Sequence, residues 1–165
     1  MRQPTKISLR IVAFVISVYH EGREIYPAIR EQSTTAIQPI ASQPSTPPWL
    51  TAARAAESKK ATDIKVLDLT GITSFADYFV ICTGSNSKQV QAIADEVGMQ
   101  LKKLGEHPVS LEGYAQAEWI LADYGDFLVH VFSTKAREYY DLERLWRAGK
   151  TVLVPSADIP AEARA

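Results

Sequence analysis

A single cysteine, Cys82, excludes any internal disulfide framework, and three scattered histidines (His20, His107 and His130) form no metal-ligand spacing with it. The chain therefore reads as a protein of a reducing, cytoplasmic-type compartment, and neither a metal nor a cofactor is expected. Cys82 sits inside the apolar run Tyr78-Phe-Val-Ile-Cys, where a thiol ordinarily serves as a small buried hydrophobe. A membrane-spanning run is lacking as well. Ile11 to Tyr19 is apolar and follows Arg2, Lys6 and Arg10, but it is too short to cross a bilayer. The next residues, His20-Glu-Gly-Arg23, offer no small-residue cleavage site, and Glu21, Glu24 and Glu31 argue against an organelle transit peptide. No membrane partner is expected.

A large charge of either sign is also missing, since the formal net charge is −1. That balance hides an asymmetry: residues 1–61 carry eight Lys/Arg and four Asp/Glu, while residues 62–155 carry nine and thirteen. An acidic folded portion is poorly suited to phosphate backbones, whose binding depends on charge neutralisation, so no direct nucleic-acid reading is expected. A basic protein partner fits better, although a modest negative charge also serves simply to keep a small domain soluble.

What is present divides the 165 residues into three parts. Residues 1–48, rich in Ser, Thr, Gln and Pro from Gln32 onward, are expected to be a disordered extension or linker, or to lie upstream of the true start. A folded domain is expected over residues 49–155, with a flexible tail over 156–165. Within the domain, Trp49–Ala61 reads as an Ala-rich helix and Val66–Thr70 as a strand. Tyr78–Thr83 reads as a central strand because both its faces are apolar. A helix capped by Ser85 or Ser87 presents Val90, Ile93, Ala94, Val97, Leu101 and Leu104 at helical spacing and stops at Gly105. Pro108–Glu112 reads as a short edge strand. Trp119–Asp123 and Phe127–Phe132 form a hairpin through Tyr124-Gly-Asp126, followed by a helix over Arg137–Trp146 and a last strand at Thr151–Val154. The expected fold is α/β (α+β), a mixed sheet of about five strands covered by helices.

Chemistry is sparse. Thr83-Gly-Ser-Asn-Ser87 lies between a buried strand and a helix, where backbone amides can hold phosphate, as in a nucleotidyltransferase or nucleotide-binding domain using the Gly84-Ser85 turn. Such an enzyme also needs two carboxylates aimed at one metal. The nearest pair, Asp95-Glu96, points about 100° apart on a helix, and the spacing Gly-x-x-x-x-Gly-Lys is absent. Asp68 reads as a mid-strand residue. Asp77, Asp123 and Asp126 lie at strand ends or turns, where aspartates usually bond to their own backbone. His130 reads as a half-buried, hydrogen-bonded core residue. No catalytic residue is assigned, and the chain is not expected to be an enzyme.

Aromatic placement points to binding instead. With one continuous helix over Arg137–Trp146, Tyr139, Leu142, Leu145 and Trp146 share the core face and Tyr140 points outward. Trp119, at a strand end, reads equally as core or surface. Trp119 and Tyr140 could form two anchors of an interface, with Lys135, Arg137 and Arg144 as its charged rim.

These residues resemble the ribosomal silencing factor family (Iojap-like, RsfS) over about Asp63–Trp146. The likeness rests on Asp77-Tyr-Phe-Val-Ile-Cys-Thr-Gly-Ser85, Gln89-Val-Gln-Ala-Ile-Ala-Asp95, Glu112-Gly113, Trp119-Ile-Leu-Ala-Asp-Tyr-Gly-Asp126, Val129-His-Val-Phe132 and Arg137-Glu-Tyr-Tyr-Asp-Leu-Glu-Arg-Leu-Trp146, in the family's order and spacing. The resemblance implies a nucleotidyltransferase-like fold without catalytic carboxylates. It also implies a translational repressor that binds the large ribosomal subunit through ribosomal protein L-fourteen and blocks association with the small subunit, with a role in large-subunit biogenesis. By the same resemblance the family's aromatic contacts fall on Trp119 and Tyr140. The protein is expected to be a monomer or weak homodimer. The N-terminal extension departs from compact bacterial members, and Trp49–Glu57 is Ala-rich where members usually carry a Leu-patterned helix.

Overall fold

The strand Tyr78–Gly84 is apolar on both faces, and in the computed structural model it takes the place such a strand requires, deep in a sheet. The structure describes residues 46–155; the expectations for residues 1–45 and for the 156–165 tail lie outside the described residues. The elements are α1 (Pro48–Ser58), β1 (Thr62–Asp68), β2 (Tyr78–Gly84), α2 (Ser87–Lys103), β3 (Ser110–Glu112), β4 (Trp119–Asp123), β5 (Phe127–Ser133), α3 (Thr134–Tyr140), α4 (Leu142–Leu145) and β6 (Lys150–Val152). Six strands are described, one at each of the six segments read as strands, in the order β3-β4-β5-β2-β1-β6. Only β2 and β5 run parallel, with Tyr78 opposite Phe127 and Gly84 opposite Ser133; the other pairs are antiparallel.

Side-chain alternation divides the sheet into two faces. One carries Val66, Val80, Ile120, Val129 and Val131 and is covered by Ala52, Ala53 and Ala56 of α1 and Val90, Ile93, Val97 and Leu101 of α2. Alanines let α1 lie close to the sheet, and Trp49 stacks on Tyr78 with ring centroids 5.2 Å apart. The opposite face carries Phe79, Leu128, His130, Phe132 and Trp119, and α3 packs there on β5 and β2. Cys82 is buried, as the sequence suggested.

Several boundaries differ from expectation. Asn86, not Ser85 or Ser87, caps α2: its backbone is extended and its side chain accepts from the Gln89 amide. Leu104 is exposed because the helix stops at Lys103. Strand β1 begins at Thr62 and ends at Asp68, whose Oδ1 accepts from the Thr70 amide at 2.9 Å and turns the chain out of the sheet. The expected single helix over Arg137–Trp146 is two short ones. Asp141 adopts φ 40°, ψ 58° between α3 and α4, and that left-handed residue resets the rotation assumed in reading one continuous stripe.

Two glycines make opposite demands. Gly113 sits at φ +78°, and a Cβ there would stand 2.0 Å from the Trp119 carbonyl oxygen, so the turn before β4 admits no side chain. Gly98 lies within α2, and a Cβ there would meet nothing within 4 Å. Gly98→Ala is therefore expected to raise stability by about 0.5–1 kcal/mol in chemical denaturation. Gly113→Ala should lower it by about 3 kcal/mol or more.

Candidate functional site

Two short elements bring an aromatic row together on the sheet face opposite α1 and α2. Trp119 opens β4 opposite Phe132 of β5. Ser133 then caps α3 by accepting from the Ala136 amide and also donates to Glu118 at 2.8 Å, so the start of the helix is tied to the residue before Trp119. Ala136 is buried, and Tyr140, four residues on, falls on the same side of α3 and reaches back over Trp119. Ring centroids lie 4.6 Å apart for Trp119–Tyr140 and 4.8 Å for Trp119–Phe132, and Tyr139 meets Tyr140 edge-on at 5.0 Å.

The expected roles of the two tyrosines are therefore exchanged. Tyr139, assigned to the core on a continuous helix, is 77% exposed, whereas Tyr140 is half-buried against Trp119. Trp119 itself is only 4% exposed. Leu142 and Trp146 are buried as expected, but Leu145 is only half-buried. Lys135 and Arg144 are exposed near this row in sequence.

Arg137 is not part of a free rim. Its side chain is 10% exposed. Nη1 donates to Thr83 Oγ1 at 3.0 Å, Nη2 to the Asp63 carbonyl at 3.0 Å, and Nε to Glu143 Oε1 at 3.0 Å, with a second, short Nη2 bond to the same carboxylate. Burial alone would raise Glu143. The hydrogen bonding and charge of Arg137, with Lys65 at 3.5 Å, outweigh it and hold the carboxyl below the usual range.

His130 lies beneath the row and is fully buried, not half-buried as expected. Its Nδ1 accepts from the Trp119 indole Nε1 at 3.2 Å, and its ring packs on Phe79 at a 4.7 Å centroid distance. Burial, helped by the Arg137 charge and opposed by Glu143, pushes its pKa down to about 3. Burial likewise pushes the Cys82 thiol up to about 12, leaving no nucleophile there.

The Gly84-Ser85 turn is occupied by its own side chains. Gln89 Oε1 accepts from both the amide and the hydroxyl of Ser85, and Asn86 Oδ1 accepts from the Gln89 amide. A Cβ at Gly84 would stand 2.8 Å from Val90 Cγ2, so close strand–helix packing accounts for this glycine. Asp95 accepts from the Tyr114 hydroxyl, Glu96 from Gln100, and Asp123 from the Gly125 amide, so these acids serve different local bonds. Among the described residues, no group of three or more His, Cys, Asp or Glu is arranged to hold a metal.

The fold is an α/β domain with an aromatic row on one face of its mixed sheet. The family described as "Ribosomal silencing factor during starvation" (RsfS) matches residues 43–165, and the chain belongs to it. The chain is similar to ribosomal silencing factor RsfS of Bacillus subtilis, 50% identical over 95 residues, or 58% of this chain and 80% of that protein. It is 30% identical over 91 residues to mouse "Mitochondrial assembly of ribosomal large subunit protein 1", spanning 53% of this chain and 40% of that one. A crystal structure from Chromobacterium violaceum superposes with a TM-score of 0.58 at 38% identity, covering 68% of this chain and 91% of that one.

Because the folded state keeps His130 neutral while an unfolded chain protonates it near pH 6.5, its contribution to stability is complete above that value and falls as pH drops toward 3. Between pH 7 and pH 5 the wild type should lose about 2 kcal/mol from this group. In urea titrations His130→Asn is expected to lack that part of the decline.

Proposed function

We propose that this chain is a non-enzymatic translational repressor that binds the large ribosomal subunit through ribosomal protein L-fourteen and sterically blocks joining of the small subunit. Family membership over residues 43–165 is the observation that carries this reading. The name of the mouse relative, which concerns assembly of the ribosomal large subunit, supports the same partner and a further role in large-subunit biogenesis. The thirteen acidic against nine basic residues over 62–155 suit a basic ribosomal protein. In this reading the chain acts in the cytoplasm.

The contact surface in this reading is the step made by Tyr139 and Tyr140, seated on Trp119, with Lys135 and Arg144 beside it. Tyr139 is the exposed large aromatic of that row, and an amphipathic ring held on a rigid helix is a typical interface anchor. The nucleotide-binding alternative is disfavoured by the Gln89 and Asn86 bonds that close the Gly84-Ser85 turn.

Added to dissociated subunits without nucleotide, the protein should reduce their reassociation in proportion to large-subunit occupancy; undiminished joining at saturation would refute steric exclusion. Tyr139→Ala should cost the fold under about 0.5 kcal/mol yet weaken large-subunit binding about tenfold or more. Tyr140→Ala should weaken binding too, but lower stability by about 1–2 kcal/mol because its ring also packs on Trp119. Co-sedimentation with large subunits and thermal unfolding separate the two effects.

A further inference from the structure

We propose that His130 is a positioning residue of the binding surface, fixing the Trp119 indole so that Tyr140 and Tyr139 are presented on a rigid base. This inference rests on the reading of the aromatic step as the ribosome-facing surface. The observation behind it is a buried polar pair inside an otherwise aromatic layer. Trp119 Nε1 donates to His130 Nδ1 at 3.2 Å, and His130 is 1% exposed among Phe79, Phe132 and Trp119. An Nδ1 that accepts carries no proton, so the neutral ring holds its proton on Nε2.

That Nε2 finds no hydrogen-bond partner among the described residues. An apolar side chain of similar size would remove that unmatched nitrogen but leave the buried Trp119 indole N–H without an acceptor, so the histidine is tied to the indole it holds. What the ring supplies is the acceptor for a buried indole N–H, in one direction and at one distance. The indole so held lies under Tyr140, which in turn meets Tyr139 edge-on. The chain of contacts runs from His130 through Trp119 to the exposed ring, and loss of the acceptor frees the indole to turn away from its unsatisfied position.

The test compares His130→Leu, which fills the space without an acceptor, with His130→Asn, whose amide oxygen can stand near the position of Nδ1. The full chain is used, with affinity for purified large subunits and the indole Nε1–H resonance of Trp119 as readouts. His130→Leu should weaken binding about fivefold and shift that resonance, whereas His130→Asn should restore both to near wild type. In a Trp119→Phe background, which has no indole donor, the two His130 variants should bind alike. Nitrogen NMR of the unaltered protein provides a check that depends on no variant's folding: Nδ1 should be unprotonated and Nε2 protonated, and the opposite tautomer would overturn the proposal. Normal binding by His130→Leu while Tyr139→Ala binds weakly would overturn the positioning role alone. Normal binding by both would overturn the aromatic surface, and the positioning role with it.

Discussion

Arg137 joins parts of the chain that lie far apart in sequence, and the position of the aromatic row depends on it. From the middle of α3 its guanidinium reaches the Thr83 hydroxyl at the end of β2, the Asp63 carbonyl at the start of β1, and the Glu143 carboxylate on α4. A seven-residue helix followed by a four-residue one has little stability of its own. Tertiary anchors must hold both, and a charged fork satisfied on three sides is directional where apolar packing is not. The left-handed Asp141 then allows α4 to turn so that Leu142 and Trp146 are buried while Tyr139 stays in solvent.

The two faces of the sheet accordingly do different work. Alanines of α1 and the apolar stripe of α2 close one face with the volume-filling contacts typical of a core. The other face is closed largely by rings: Trp146 edge-on to Phe79, His130 against Phe79, and Trp119 against Phe132 and Tyr140. Rings carry large area with few rotatable bonds, so a surface built on them is presented rigidly and loses little entropy on binding. In the proposed reading, a chain that occupies a ribosomal surface needs that kind of face more than it needs a pocket.

Much of this was legible in the residues. The doubly apolar Tyr78–Cys82 run placed β2 inside the sheet, and the Tyr124-Gly-Asp126 turn marked the β4–β5 hairpin. Periodicity failed at Asp141, because Tyr-Tyr-Asp-Leu contains no glycine or proline to announce a left-handed residue, and one such residue was enough to exchange Tyr139 with Tyr140. Arg137 was misread for a related reason. A charged residue on a short helix is usually solvated, and its three acceptors are separated from it in sequence by as much as 74 residues. The Trp119–His130 bond could have been suspected from two polar-tipped rings in adjacent predicted strands, but only the register, which sets them two residues apart on the same face across β4 and β5, brings them into reach.

In the proposed reading, the face bearing Tyr139 meets the large ribosomal subunit. The most direct measurement places a photo-reactive amino acid at position 139 and, separately, at exposed position 99 on α2, whose helix covers the other face of the sheet. Each protein is irradiated on purified large subunits and the cross-linked proteins are identified. Efficient cross-linking is expected from position 139, with ribosomal protein L-fourteen as the product, and little from position 99. Cross-linking from position 99 with none from position 139 would contradict that reading.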